Sequence, residues 1–85
     1  MEEKLIGKIT HYFTNIGVGV IEITDNKLKV GDSIHIKGTA TDFEQKIASM
    51  QIEHENVKEA EAGQAIGLKV DQAVRDNHQV FKIIE

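Results

Sequence analysis

Nineteen residues of this chain are isoleucine or valine and only three are leucine. Side chains branched at Cβ lose rotamer freedom in a helix and pack well on a pleated surface, so this ratio points to sheet. Spacing agrees. Ile34 and Ile36 alternate with Ser33, His35 and Lys37, and Ile66, Leu68 and Val70 alternate with Gly67 and Lys69, the period of two of a half-buried strand. The pattern predicts strands over Leu5–Phe13, Val18–Thr24, Asp32–Lys37, Phe43–Ile52, Ala65–Val70 and Gln79–Ile84. Six strands in so short a chain predict an all-β fold, a small closed antiparallel barrel, since closure removes edges that would otherwise lie open. The polar stretch Glu53–Ala62 is expected to be a loop with at most one helical turn near Val57–Glu61, a short helix being the alternative.

A length of 85 residues fits one domain with one thin core. There is no cysteine, which excludes disulfides, thiolate metal sites and thiol chemistry. No apolar run reaches the roughly 18–20 residues of a membrane span, and the first residues do not resemble a secretion signal, so a cytoplasmic protein without membrane attachment is expected. Ten basic residues against fourteen acidic ones leave a net charge of −4. That balance argues against a dedicated DNA binder and leaves room only for local contacts to RNA.

The glycines mark turns and close approaches. Gly31, followed by Asp32, and Gly63 each stand just before a strand, where a positive φ is commonly needed, whereas Gly7 and Gly67 lie inside strands. Gly17-Val18-Gly19 lacks the third glycine of a phosphate loop and runs into a strand instead of a helix, so no nucleotide is expected. His11, His35, His54 and His78 form no pair at metal-ligand spacing, and His35, alternating with inward isoleucines, is expected to face water. No nucleophile, base or paired acid is placed for catalysis, so the chain reads as a non-enzyme without metal or cofactor. Of the aromatics, the phenylalanines are assigned to the core and Tyr12 is kept as a stacking contact.

Two resemblances follow from longer motifs. Gly7-Lys8-Ile9, Gly19-Val20-Ile21, Leu28-Lys29-Val30-Gly31-Asp32-Ser33-Ile34-His35-Ile36, Lys46-Ile47-Ala48-Ser49-Met50 and the run from Val57 to Leu68 are similar, in this order, to the second domain of elongation factor Tu and its translational GTPase relatives. Phe43-Glu44-Gln45, Ser49-Met50-Gln51-Ile52 and the ending Arg75-Asp76-Asn77-His78-Gln79-Val80-Phe81-Lys82 resemble the barrel that ends collagenase-like peptidases, and also free-standing elongation-factor-like small proteins. The glycine usual before the last strand of the elongation-factor family is missing, and so is any GTPase domain.

The first resemblance implies a binding module docking on RNA, the ribosome or a translation protein, with Lys8, Tyr12, Lys27, Lys29, Lys37 and Arg75 as its candidate surface. The second implies a protein-interaction or accessory-subunit barrel. No peptidase activity carries over, because the catalytic portion of those enzymes has no counterpart in these residues.

Overall fold

The computed structural model describes residues 2–39, 41–53, 55–75 and 77–84; His54 and Asp76, both singled out in the sequence, lie outside the described residues. Within them the chain forms ten strands: β1 (Glu2–Phe13), β2 (Val18–Ile23), β3 (Lys27–Lys29), β4 (Ser33–Lys37), β5 (Asp42–Lys46), β6 (Met50–Ile52), β7 (Glu55–Val57), β8 (Glu59–Glu61), β9 (Ala65–Lys69) and β10 (Gln79–Ile84). There is no helix among the described residues, so neither the helical turn nor the short helix expected near Val57–Glu61 forms. None of the described elements is a helix long and apolar enough to cross a membrane.

The all-β expectation holds, but the closed six-stranded barrel does not. Eight strands join in one open antiparallel sheet of order β5-β4-β10-β1-β2-β9-β6-β7, and β3 pairs with β8 as a separate ribbon. No ladder joins the outer strands β5 and β7, so the sheet keeps two edges. The expected strand Phe43–Ile52 breaks in two because the backbone of Ile47 is used elsewhere. Its N–H donates to Asp32 O at 2.9 Å, and its carbonyl accepts from Gly31 N–H at 2.8 Å. The segment read as a loop instead supplies β7 and β8. It pairs Met50 with Val57 and Ile52 with Glu55 on one side, and Leu28 with Ala60 in the ribbon.

One hydrophobic cluster fills the concave side. It takes Ile6 and Ile9 from β1, Ile21 and Ile23 from β2, Ile34 and Ile36 from β4, Ile66 and Leu68 from β9, and Leu28 and Ala60 from the ribbon. β1, the longest strand, bends at two register shifts, between Leu5 and Gly7 and between Ile9 and His11. An extra residue in one strand of a pair raises local twist and curls a sheet around its core. Gly7 permits the first bend, because a β-carbon there would overlap the carbonyl oxygen of Glu22.

Three turns carry glycine in the left-handed region, Gly31 at φ +99°, Gly63 at φ +94° and Gly17 at φ +67°, with open space where a side chain would go. Asp32 fixes the first of them: its Oδ2 accepts the N–H of Lys29 at 2.9 Å and lies 3.4 Å from Lys82 Nζ. Gly67 has no such constraint, since a β-carbon there would make only ordinary contacts.

Candidate interaction surface

The register of the strands decides what the lysines can do. Lys8 lies opposite Glu22, Lys27 opposite Glu61, Lys29 opposite Glu59, and Lys37 opposite Asp42. Each lysine proposed as a contact for RNA therefore stands across a strand pair from a carboxylate, an arrangement that favours the sheet and cancels charge locally. Lys27 shows the consequence, with its Nζ 3.4 Å from Glu59 and 3.8 Å from Glu61. Lys27 and Lys29 share the ribbon, while Lys8 and Lys37 lie on different strands of the sheet, and each is set against a carboxylate.

Tyr12 and Arg75 do come together. They line a surface concavity of about 630 Å³ with His11, Thr14, Ala73 and Val74. The loop that carries Arg75 is tied to β1 by backbone bonds: Asn77 N–H donates to Ile9 O at 2.8 Å, and Ile9 N–H donates to His78 O at 2.8 Å. His78 is buried and takes the N–H of Arg75 on its Nδ1 at 3.3 Å. Its ring lies directly over Gly38, where a β-carbon would overlap it. Tyr12 is half-buried against the core, which fixes the other wall.

The concavity continues around the tip of the β1–β2 hairpin. A second hollow of about 320 Å³ runs from Tyr12 to Ile16. A third of about 260 Å³ is lined by Phe13, Ile16, Val18 and Val20 together with Gln51, Glu53, Ala65, Ile66 and Gly67. The tight turn that makes this tip is closed by Gly17 N–H donating to Phe13 O at 2.9 Å, and it is held to the body by Val70 N–H donating to Gly17 O at 3.0 Å. Ile16 is 62% exposed and Phe13 46% exposed. The assignment of all three phenylalanines to the core is therefore corrected: Phe43 is buried, Phe81 is half-buried, and Phe13 lies on the surface with its ring edge-on to His11 at 4.5 Å.

The surface thus has a polar end, formed by His11, Tyr12 and Arg75, and an apolar stretch, formed by Phe13, Ile16, Val18 and Val20. Two large apolar side chains exposed side by side on so small a body suit contact with another protein surface. The sequence did carry a signal for this: Ile16 is a β-branched residue placed in the polar turn Thr14-Asn15-Ile16-Gly17.

His35 also departs from expectation. It lies on the face opposite the core, yet its side chain is only 12% exposed. Glu3 and Asp42 cover it: both carboxylate oxygens of Glu3 lie at 2.9 and 3.0 Å from Nδ1, and Asp42 Oδ1 bonds Nε2.

No protein-family model matches the chain. In sequence it is 35% identical over 81 residues to an uncharacterized protease of Methanocaldococcus jannaschii, covering 94% of this chain and 20% of that protein. It is 32% identical over 82 residues to a collagenase of Porphyromonas gingivalis, covering 95% of this chain and 23% of that one. The chain thus spans about a fifth of the length of the curated relatives it matches. In structure it is similar to the C-terminal domain of a Geobacillus thermoleovorans protein described as a U32 peptidase, with a TM-score of 0.87 at 18% identity, covering 95% of this chain and 93% of that domain. These matches overturn the reading as a translation elongation factor-like protein. They support the collagenase-like side of the resemblance. In sequence the chain resembles a fifth of a collagenase-like protease, and in fold it resembles the C-terminal domain of a U32 peptidase.

Proposed function

We propose that this chain is a non-catalytic accessory domain that docks on the catalytic portion of a collagenase-like peptidase through the tip of the β1–β2 hairpin. The observation that carries the reading is the exposed pair Phe13 and Ile16, which lines two adjoining surface hollows. The relatives support the choice of occupant, since the chain matches only a fifth of their length and the remaining four-fifths would lie beside it. Fully burying a large apolar side chain supplies about 1.5–3 kcal/mol, and roughly half of that is available from each of these two half-exposed side chains, a large share of a small interface. Arg75, flanked by Tyr12 and His11, supplies a charged anchor at the other end of the groove.

The test is direct binding, by surface plasmon resonance, to the separately produced catalytic portion of a collagenase-like peptidase. Saturable binding is expected, weakened at least about tenfold by Ile16→Asp or Phe13→Ser and unchanged by Lys8→Ala. Absence of binding by the parent chain would overturn the reading, and equal binding by the Ile16 variant would move the surface elsewhere. The chain alone is expected to leave denatured collagen intact; cleavage would refute the non-catalytic assignment.

A further inference from the structure

On the outer face of the sheet, away from the hairpin groove, three strands bring ligand-type side chains to one place. Glu3 comes from β1, His35 from β4 and Glu44 from β5, each offering one ligand atom within 4.8 Å of the others. His35 and Glu44 are directly opposed in the β4–β5 ladder, while Glu3 reaches across β10. Asp42, two residues from Glu44, holds the far side of the imidazole at Nε2. The ring is packed near Phe81, with centroids 6.3 Å apart, and so is fixed by the sheet before any ligand arrives.

The geometry points to a divalent transition-cation site, of the zinc class, with His35 Nδ1, Glu3 and Glu44 as its ligands and Asp42 as the carboxylate that orients the imidazole. A metal-ligating histidine characteristically donates its other ring N–H to a carboxylate, which fixes the tautomer and leaves the ligating nitrogen free for the metal. Asp42 stands in that position here, on the nitrogen opposite Glu3. One imidazole with two carboxylates is a borderline donor set that suits zinc better than magnesium or calcium. Ligands around tetrahedral zinc stand about 3.3 Å apart, so Glu3, at 2.9 Å from Nδ1, must draw back slightly to admit the ion while Glu44, within 4.8 Å, turns toward it.

Charge favours a cation here: the carboxylates of Glu3, Glu44 and Asp42 surround one imidazole, with the Phe81 ring beside it and Ile83 opposite Glu3 in the ladder.

The experiment is titration of the chelator-treated chain with zinc chloride, followed by calorimetry and by the nitrogen resonances of the histidine rings. One saturable site is expected, with the His35 ring shifting and His11 and His78 unchanged. Glu3→Gln and Glu44→Gln, both on the surface, should each weaken zinc about tenfold or more, and Asp42→Asn should weaken it by a comparable or smaller factor. Magnesium should not compete. The site is refuted if no saturation appears below about 1 mM zinc. It is refuted equally if another histidine shifts in place of His35, if the glutamine variants bind as the parent does, or if magnesium displaces zinc and the attraction is that of carboxylates in general.

Discussion

The side-chain amide of Gln45 donates to the backbone carbonyl of Lys69 at 3.0 Å, joining edge strand β5 to the end of β9, strands between which no ladder runs. Its carbonyl oxygen accepts from the N–H of Asp71 at 2.8 Å, so one buried amide satisfies two backbone groups across the gap. Where a closed barrel would have a row of backbone bonds, this fold has one side chain. The Ile47 backbone, bonded to Gly31 and Asp32, makes a further tie from the stretch after β5.

Gln45→Leu keeps the volume and removes the amide, leaving a part-buried carbonyl and N–H without their partner. The cost of leaving such groups unsatisfied is about 1–3 kcal/mol. Urea denaturation should show the midpoint falling by that equivalent with an unchanged slope. A parent-like midpoint would mean that water replaces the amide without loss and that Gln45 is not what ties the gap.

How much of this was legible follows from the length of each element. β1, β2, β4, β9 and β10 carry four or more residues in a period-two pattern, and the sequence places each within three residues of its observed ends. β3 and β8 are three residues long, mostly charged and paired with each other across a long stretch of chain, while β7 has only three residues in a short hairpin with β6, so no local pattern announces any of them. The break after β5 was illegible for the same reason: Ile47 is apolar and in register, and only the Gly31-Asp32 turn diverts its backbone. Gln45 was the missed clue, a polar residue between Phe43 and Ile47 on the inward side of a strand. At the candidate surface, the sequence named Tyr12 and Arg75 but not the contact between their neighbourhoods, which depends on the ties from residues 77 and 78 to Ile9.

The hairpin tip should be expendable for folding. Ile16 packs on nothing that the core requires and is mostly exposed, so Ile16→Asp should change stability by no more than about 0.5 kcal/mol. Thermal melting checks this, and a larger loss would show that the side chain serves the fold instead of a partner.

The pair of carboxylates on His35 makes stability depend on pH in the metal-free protein. The hydrogen bond to Asp42, then that to Glu3, holds the imidazolium above the ordinary histidine value of 6.5, against the opposing effect of burial. A raised native value stabilises fully below 6.5, and that contribution is lost as pH rises through the native value. Asp42 moves the other way: the His35 hydrogen bond holds it below 3.8, so its contribution is present above that value and lost as pH falls through the native one. The two together favour the folded state most in mildly acidic solution. In chelator, the melting temperature of the parent relative to His35→Gln should therefore fall as pH rises above 6.5. Parallel curves would show that the cluster contributes nothing to folding.

Gly31 and Gly38 should both resist substitution, for different physical reasons that one measurement separates. At Gly31 the backbone sits at φ +99° and the space around a β-carbon is empty, so alanine meets strain but no clash. The left-handed region costs a residue with a β-carbon about 1–2 kcal/mol, and Gly31→Ala should lose that amount with the rest of the molecule undisturbed. At Gly38 a β-carbon would enter the ring of His78, a buried side chain that must then move. Overpacking of this kind costs about 1–3 kcal/mol, so stability alone does not tell the two variants apart. The position of Arg75 does. His78 holds the Arg75 N–H on its Nδ1, so displacing the ring in Gly38→Ala should shift the amide signals of Arg75 and of Tyr12 across the groove. Gly31→Ala should leave those signals in place and confine its changes to the turn and the Ile47 backbone it bonds. Binding to the peptidase portion should weaken with Gly38→Ala at temperatures where the chain is still folded, and should persist with Gly31→Ala. If both variants bind alike while folded, Arg75 is not part of the docking surface, and the contact rests on Phe13 and Ile16 alone.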